Sequence, residues 1–247
     1  MSEEHLKAQG TACATATYQD IHNLLSGCQR FGLMGAVVGD PGTGKTTAAK
    51  AYGEGRRQVV YYRIRKAAAS MRHFLVHLNE QVGGYSAREF GTDDFYKEVL
   101  DCLLRLKEQG GMLILDEVQD LEPDAKDVIR NLFEDSAIGI CLIGNRDLLT
   151  PNFKRGRASQ NVQRLLGRIG PKILLDKPMP EDIAAICAFH GISGKEAVRL
   201  VGKIATSGQQ LHNLDYLLRV ARETCSQDRP LTLETLKNAA LLTGGGA

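Results

Sequence analysis

The nine residues Gly39-Asp40-Pro41-Gly42-Thr43-Gly44-Lys45-Thr46-Thr47 constrain this chain more than any other stretch, because they join an apolar run at 33–38 to a helix-forming run at 45–54. A buried strand that turns through glycines directly into a helix opens a βα unit, and such units build parallel sheets. The stretch also carries the spacing G-x-x-x-x-G-K-[ST]. Glycines let backbone N–H groups wrap phosphate oxygens, and the helix N-terminus adds positive dipole. Lys45 is then placed to reach the β and γ phosphates, with the Thr46 hydroxyl as a magnesium ligand. Gly39 to Thr47 therefore form a candidate nucleotide site.

Hydrophobic patterning extends the sheet. Strands at 33–38, 58–64, 112–115, 138–143 and 172–175 alternate with helices at 45–54, 66–81, 93–109 and 123–135, behind a leading helix at 17–30. This alternation predicts an α/β fold, a parallel sheet sandwiched by helices. Thr92 reads as the N-cap of the helix at 93–109, and Gly110-Gly111 as its stop. After Pro178 and Pro180 the strand signal ends, and 181–190, 194–206, 209–225 and 232–242 read as four helices. The expected organisation is a tail at 1–16, a nucleotide-binding α/β domain at 17–177 and a small helical lid at 178–247.

A second element fits the first. Met112 to Leu115 form an apolar strand that ends in Asp116 and Glu117. Asp116 can hold a magnesium shell, and Glu117 can orient an attacking water. The strand at 138–143 ends in Gly144-Asn145, which puts a polar side chain at the same edge of the sheet; Asn145 also fits a plain turn residue.

Composition narrows the class. With 43% hydrophobic and 24% charged residues the chain is neither disordered nor membrane-spanning. MSEEHLK has no apolar h-region, so a cytoplasmic location is expected. The six cysteines form no CxxC pair and read as small core residues, while His73 and His77 read as a helix face without a third metal ligand. Net charge is +2, yet 55–78 and 151–172 hold twelve of the 31 basic residues and no acid, leaving 19 basic against 29 acidic residues elsewhere. Two basic zones on an acidic body suggest a polyanionic partner.

These motifs resemble those of the AAA+ ATPases over roughly 17–240. The resemblance implies that Gly39 to Thr46 are Walker A, Asp116 and Glu117 Walker B, Asn145 sensor 1 and 181–247 the lid, with ATP and Mg²⁺ as cofactors. Within that group, the short leading helix before GLMGAVVGDPGTGKTTAAKAYGE, with ILDEVQDL and LIGNRDLL, is similar to the transposition ATPases of the Mu B, TniB and TnsC kind. Those proteins bind DNA in an ATP-dependent way, polymerise on target DNA and recruit and activate a transposase. Mu B proteins carry a helix-turn-helix domain ahead of the ATPase, and the 16 residues before the first helix are too few for one. Relatives also place a sensor 2 arginine where Gly208-Gln209-Gln210-Leu211-His212 offers His212.

The resemblance further implies an arginine supplied to a neighbouring subunit's site. Arg168 is the first candidate, and Arg164, four residues earlier on the same helix face, the second; surface or DNA contacts are the other reading of both. Arg63, Arg65, Lys66 and Arg72 are expected to leave the carboxyl edge of the sheet with Lys154, Arg155 and Arg157, where they could track a phosphate backbone without reading bases. Arg56 and Arg57 fall at the opposite edge, and Tyr61 and Tyr62 read as core packing ahead of base stacking. The expected protein is thus a DNA-binding ATPase that forms a homo-oligomeric ring or filament on double-stranded DNA. Rival readings are a helicase loader of the IstB and DnaC kind, a secretion ATPase resembling ExeA, and a small-molecule kinase.

Overall fold

A computed structural model describes residues 13–149, 157–207, 211–225 and 230–243, without the side chains of 157–159. The chain divides into two compact units: 21–39 with 45–174, and 1–20 with 40–44 and 175–247. The nucleotide loop and the first turn of the leading helix thus group with the C-terminal helices, where the sequence put them in the α/β domain.

In the first unit, strands β1 (Met34–Gly39), β2 (Val59–Arg63), β3 (Met112–Asp116), β4 (Gly139–Gly144) and β5 (Ile169–Leu175) form one sheet in the order β2-β3-β4-β1-β5. The pairs β1–β4, β3–β4 and β2–β3 are parallel. Register sorts the side chains: Met34 lies opposite Ile140 and Ala36 opposite Leu142, while Leu113 and Leu115 face the same two β4 residues from the other side. All six belong to one buried cluster with α3 (Met71–Val82), α4 (Thr92–Glu108) and α5 (Pro123–Ser136). The opposite face takes α1 (Ala16–Phe31), whose Cys28 sulfur would lie 2.5 Å from a Cβ at Gly35, and α2 (Lys45–Gly53). Helices on both faces bury β1, β3 and β4 along their whole length, and apart from the Asp116 that closes β3 the strand sequences carry no charged or polar side chain.

Four of the six cysteines, Cys28, Cys102, Cys141 and Cys187, are buried as core residues, and burial pushes the Cys28 thiol up to about 11. His73 bonds Ser70 and His77 bonds Glu80.

Several local expectations change. The helix expected at 66–81 is a short 3₁₀ turn at Lys66–Ala68 followed by α3, because the Ala69 carbonyl accepts from Glu122 N–H and Ser70 is extended. Gly91, not Thr92, caps α4, and its N–H donates to the Asp94 carboxylate at 2.8 Å. The last strand begins three residues early, at Ile169, because β5 is an edge strand, where Pro171 and its missing N–H are tolerated. Arg157 opens α6 (Arg157–Leu166) and does not lie in a loop.

The second unit packs α7 (Pro180–Phe189), α8 (Lys195–Ala205), α9 (Leu211–Thr224) and α10 (Leu233–Leu242) around their own apolar cluster, which includes Val201, Leu214, Leu217 and Leu236. Buried Asp182, 1% exposed, accepts Thr17 N–H at 2.9 Å, the Thr17 hydroxyl at 2.6 Å and Met179 N–H at 3.2 Å.

Candidate functional site

Because the strands run parallel, β1, β3 and β4 all end at one edge, which brings Gly39, Asp116 and Gly144 to the same side of the sheet. The loop after β1 turns through Gly42 at φ 81° and Gly44 at φ 85°, left-handed conformations open to glycine without strain. Within it the Thr43 hydroxyl donates to the Asp40 carbonyl at 2.9 Å, Asp40 N–H donates to the Leu175 carbonyl, and Leu211 N–H donates to the Gly42 carbonyl at 2.9 Å. His212, one residue further, is exposed. Pro41 and Thr47 are exposed as well.

At the start of α2, Lys45 Nζ donates to the Gly39 carbonyl at 2.8 Å. The Thr46 hydroxyl donates to Asp116 Oδ2 at 2.8 Å. Asp116 is 1% exposed, and its Oδ2 also accepts the Tyr61 hydroxyl at 2.7 Å while Oδ1 accepts Glu117 N–H at 2.9 Å. One buried carboxylate and one hydroxyl, both hard oxygen donors, are the sparse protein ligand set that magnesium accepts when waters and phosphates fill its other positions. The residues present fit that ion.

Glu117 lies in the left-handed region at φ 62° and ψ 37°, where non-glycine residues are uncommon and which often marks a functional position. Both its oxygens are engaged: Arg63 Nη2 donates to Oε1 at 2.9 Å and Gln119 Nε2 to Oε2 at 2.7 Å. Gln119 Oε1 in turn accepts Asn145 N–H at 3.3 Å, so one side chain links the acidic turn to the end of β4. The Asn145 side chain holds Asp147 through its backbone N–H at 2.9 Å and its carboxylate at 3.2 Å, which is the geometry of a turn cap.

The basic candidates separate. Arg63 pairs with Glu117 at the end of β2, and Arg72 donates to the Phe90 carbonyl and stacks over Phe95 at 5.5 Å. Arg65 and Lys66 are exposed beside them. Lys154 and Arg155 lie outside the described residues, and of Arg157 only the backbone is described. Arg164 and Arg168 do not share a helix: α6 ends at Leu166, and Arg168 follows Gly167 in the turn before β5, where its Nε donates to Glu134 at 2.7 Å. Arg164, on α6, lines a groove with Asp124, Asp127 and Asn131 of α5.

Sequence reasoning missed two participants. Tyr61 was expected in the core, but its hydroxyl binds Asp116; the available signal was its place two residues before Arg63, on the same face of β2. Gln119 carried the weaker signal of an amide two residues past an acidic pair.

Comparison with known proteins agrees with this geometry. Residues 30–150 match the family model of an AAA domain, and 167–241 match that of the Mu B transposition protein, C terminal. The ATP-dependent target DNA activator B of Escherichia phage Mu is 31% identical over 192 residues, covering 76% of this chain and 59% of the phage protein. The Mu-like prophage FluMu DNA transposition protein B of Haemophilus influenzae is 27% identical over 205 residues, covering 81% and 69% of the respective chains. Among solved structures, Cdc6p from Pyrobaculum aerophilum superposes with a TM-score of 0.66 at 14% identity, covering 98% of this chain and 71% of its own. Domain III of the Thermotoga maritima replication initiation protein DnaA gives 0.55 at 18% identity, covering 98% and 96%. These two likenesses establish the fold, and no described helix is long and apolar enough to cross a membrane. The chain spans 59% of the length of the phage Mu relative. By its sheet, its nucleotide loop and both family-model matches, the chain belongs to the AAA+ proteins and within them resembles the Mu B transposition proteins.

Proposed function

We propose that this chain is an ATPase that binds double-stranded DNA largely without regard to sequence, assembles on target DNA in the ATP state and there recruits or activates a transposase. The observation that carries the nucleotide half is the Thr46–Asp116 bond at 2.8 Å, which joins the last residue of the glycine-loop motif to the acid at the end of β3. The transposition half draws on the likeness to the phage Mu target DNA activator and on the acid-free basic segments.

In this reading Gly39 to Thr47 bind the triphosphate, Lys45 exchanges the Gly39 carbonyl for β and γ phosphate oxygens, and Thr46 and Asp116 hold Mg²⁺. Magnesium bound there supplies charge neutralisation at the phosphates. Glu117 orients the attacking water once it turns from its present partners, Asn145 lies at the γ-phosphate edge, and Arg168 completes a neighbouring subunit's site with Arg164 as the alternative. His212 takes the sensor 2 position in this reading. Phosphate contacts fall to Arg63, Arg65, Lys66, Arg72, Lys154, Arg155 and Arg157, which predicts steep salt dependence. ATP bound between subunits makes assembly conditional on the γ-phosphate, and hydrolysis dissolves it.

Sedimentation of the protein with and without duplex DNA, in ATP and in ADP, tests the proposal. Large assemblies that require ATP and DNA together are expected, and Glu117→Gln should make them persist. A protein that stays small and ignores duplex DNA in ATP would sink the transposition reading; preference for single strands would move it to the helicase loaders.

A further inference from the structure

The two carboxylates at the end of β3 are held differently. Glu117 is bound by side chains that are open to solvent, with Arg63 55% and Glu117 30% exposed. Asp116 is held from within the fold. Its Oδ1 is fixed by the next residue's own N–H, and its Oδ2 receives two hydroxyls, Thr46 from α2 and Tyr61 from β2. Only one of those hydroxyls belongs to the nucleotide motif.

Tyr61 is placed for that bond by the sheet. It lies opposite Ile114 in the β2–β3 register, two residues short of Asp116's own partner Arg63, and a tyrosine side chain spans that distance along the strand. Its neighbours Val60 and Tyr62 point into the cluster with Phe74, so Tyr61 points to the other face, where Lys50 Nζ of α2 sits 5.8 Å from its ring centroid. A phenol keeps its proton at neutral pH and a carboxylate only accepts, so the Tyr61 hydroxyl is the donor in this bond.

We infer that Tyr61 is the positioning residue for magnesium in this site: its hydroxyl sets the plane of the Asp116 carboxylate toward Thr46, so that metal binding finds the two ligands already aligned. Groups that orient a metal's ligands without touching the metal commonly account for about 10–100-fold in affinity. The inference rests on the reading of Thr46 and Asp116 as the magnesium ligands.

Tyr61→Phe removes the hydroxyl and keeps the ring. Binding of a fluorescent ATP analogue is titrated with Mg²⁺, for the wild type and the variant, and also in chelator. The expected result is that the Mg²⁺ concentration for half-maximal enhancement of nucleotide binding rises about tenfold or more, while affinity in chelator stays within about twofold. In an Asp116→Asn background the same substitution should add nothing to the Mg²⁺ requirement. An unchanged Mg²⁺ curve would overturn the inference, as would an equal loss of affinity in chelator or additive effects in the double variant. A wild type whose nucleotide binding ignores Mg²⁺ altogether would overturn the magnesium reading itself, and a wild type that binds the analogue with the expected Mg²⁺ response keeps the two failures apart.

Discussion

Arg63 Nη2 lies 2.9 Å from Glu117 Oε1, so a cation at the end of β2 is bound to the acid expected to orient the attacking water. That bond uses one of the guanidinium's five N–H donors, so a phosphate frees Glu117 only where it draws the whole group away. If the basic zone binds DNA in that way, contact with a phosphate also releases Glu117.

Arg63→Ala should raise ATP turnover in the absence of DNA by at most about fivefold, since so exposed an ion pair is worth about 0.2–1 kcal/mol. DNA affinity should fall at the same time, most at low salt. A steady-state ATPase assay with a parallel filter-binding titration checks both, and lower basal turnover would refute the link. Substituting Arg63 and Arg65 together without any change in DNA affinity would remove this basic zone from the interface.

Arg168 is tied to Glu134 rather than pointing freely from a helix. If it serves a neighbouring site, Arg168→Ala should cut turnover by about 10³-fold with nucleotide affinity unchanged. Mixing that variant with Lys45→Ala should restore activity, because the second protein still carries Arg168 although its own nucleotide loop is disabled. Full turnover in Arg168→Ala alone, with loss in Arg164→Ala, would transfer the role to Arg164.

Asp182 collects three donors in a buried place. Asp182→Ala strands them and should cost about 2–4 kcal/mol, while Thr17→Ala, which removes one hydroxyl, should cost about 1 kcal/mol. Urea denaturation gives both numbers, and equal small losses would mean that the cluster contributes little.

His22 is half-buried, its Nε2 donates to the Ala48 carbonyl at 2.9 Å, and its ring meets Tyr52 edge to face at 5.2 Å. Burial lowers its pKa below the ordinary 6.5, more than the Ala48 bond raises it. The folded state thus takes up a proton less readily than the unfolded one, so this contribution is present above pH 6.5 and is lost as pH falls from there through the lower folded value. His190 is lowered by burial and then by Arg222, and acts in the same direction. Stability measured between pH 7.5 and about 5 should decline, and His22→Gln should flatten the decline; an unaltered profile would exclude His22 as its source.

The sheet was legible because β1, β3 and β4 are apolar up to the Asp116 that closes β3, and helices of ordinary period separate most of the strands. The loop was legible because glycine spacing there has few other uses. What sequence could not supply was direction across the sheet. That Tyr61 turns to Asp116 and Tyr62 to Phe74 depends on which face each side of β2 meets, and two adjacent tyrosines look alike until the register is known. Arg63 read as a free cation because its partner lies 54 positions away. Arg168 read as helical because Gly167 interrupts an otherwise continuous pattern by a single residue.

The Gly42 carbonyl and the Asp40 N–H find their partners at Leu211 and Leu175, far along the chain. A fragment cut before residue 175 would keep every letter of the phosphate-binding motif and lose the bonds that shape its middle. Weak nucleotide binding by such a fragment would then report a loop without its supports, and measurements of this site belong on protein that retains the C-terminal helices.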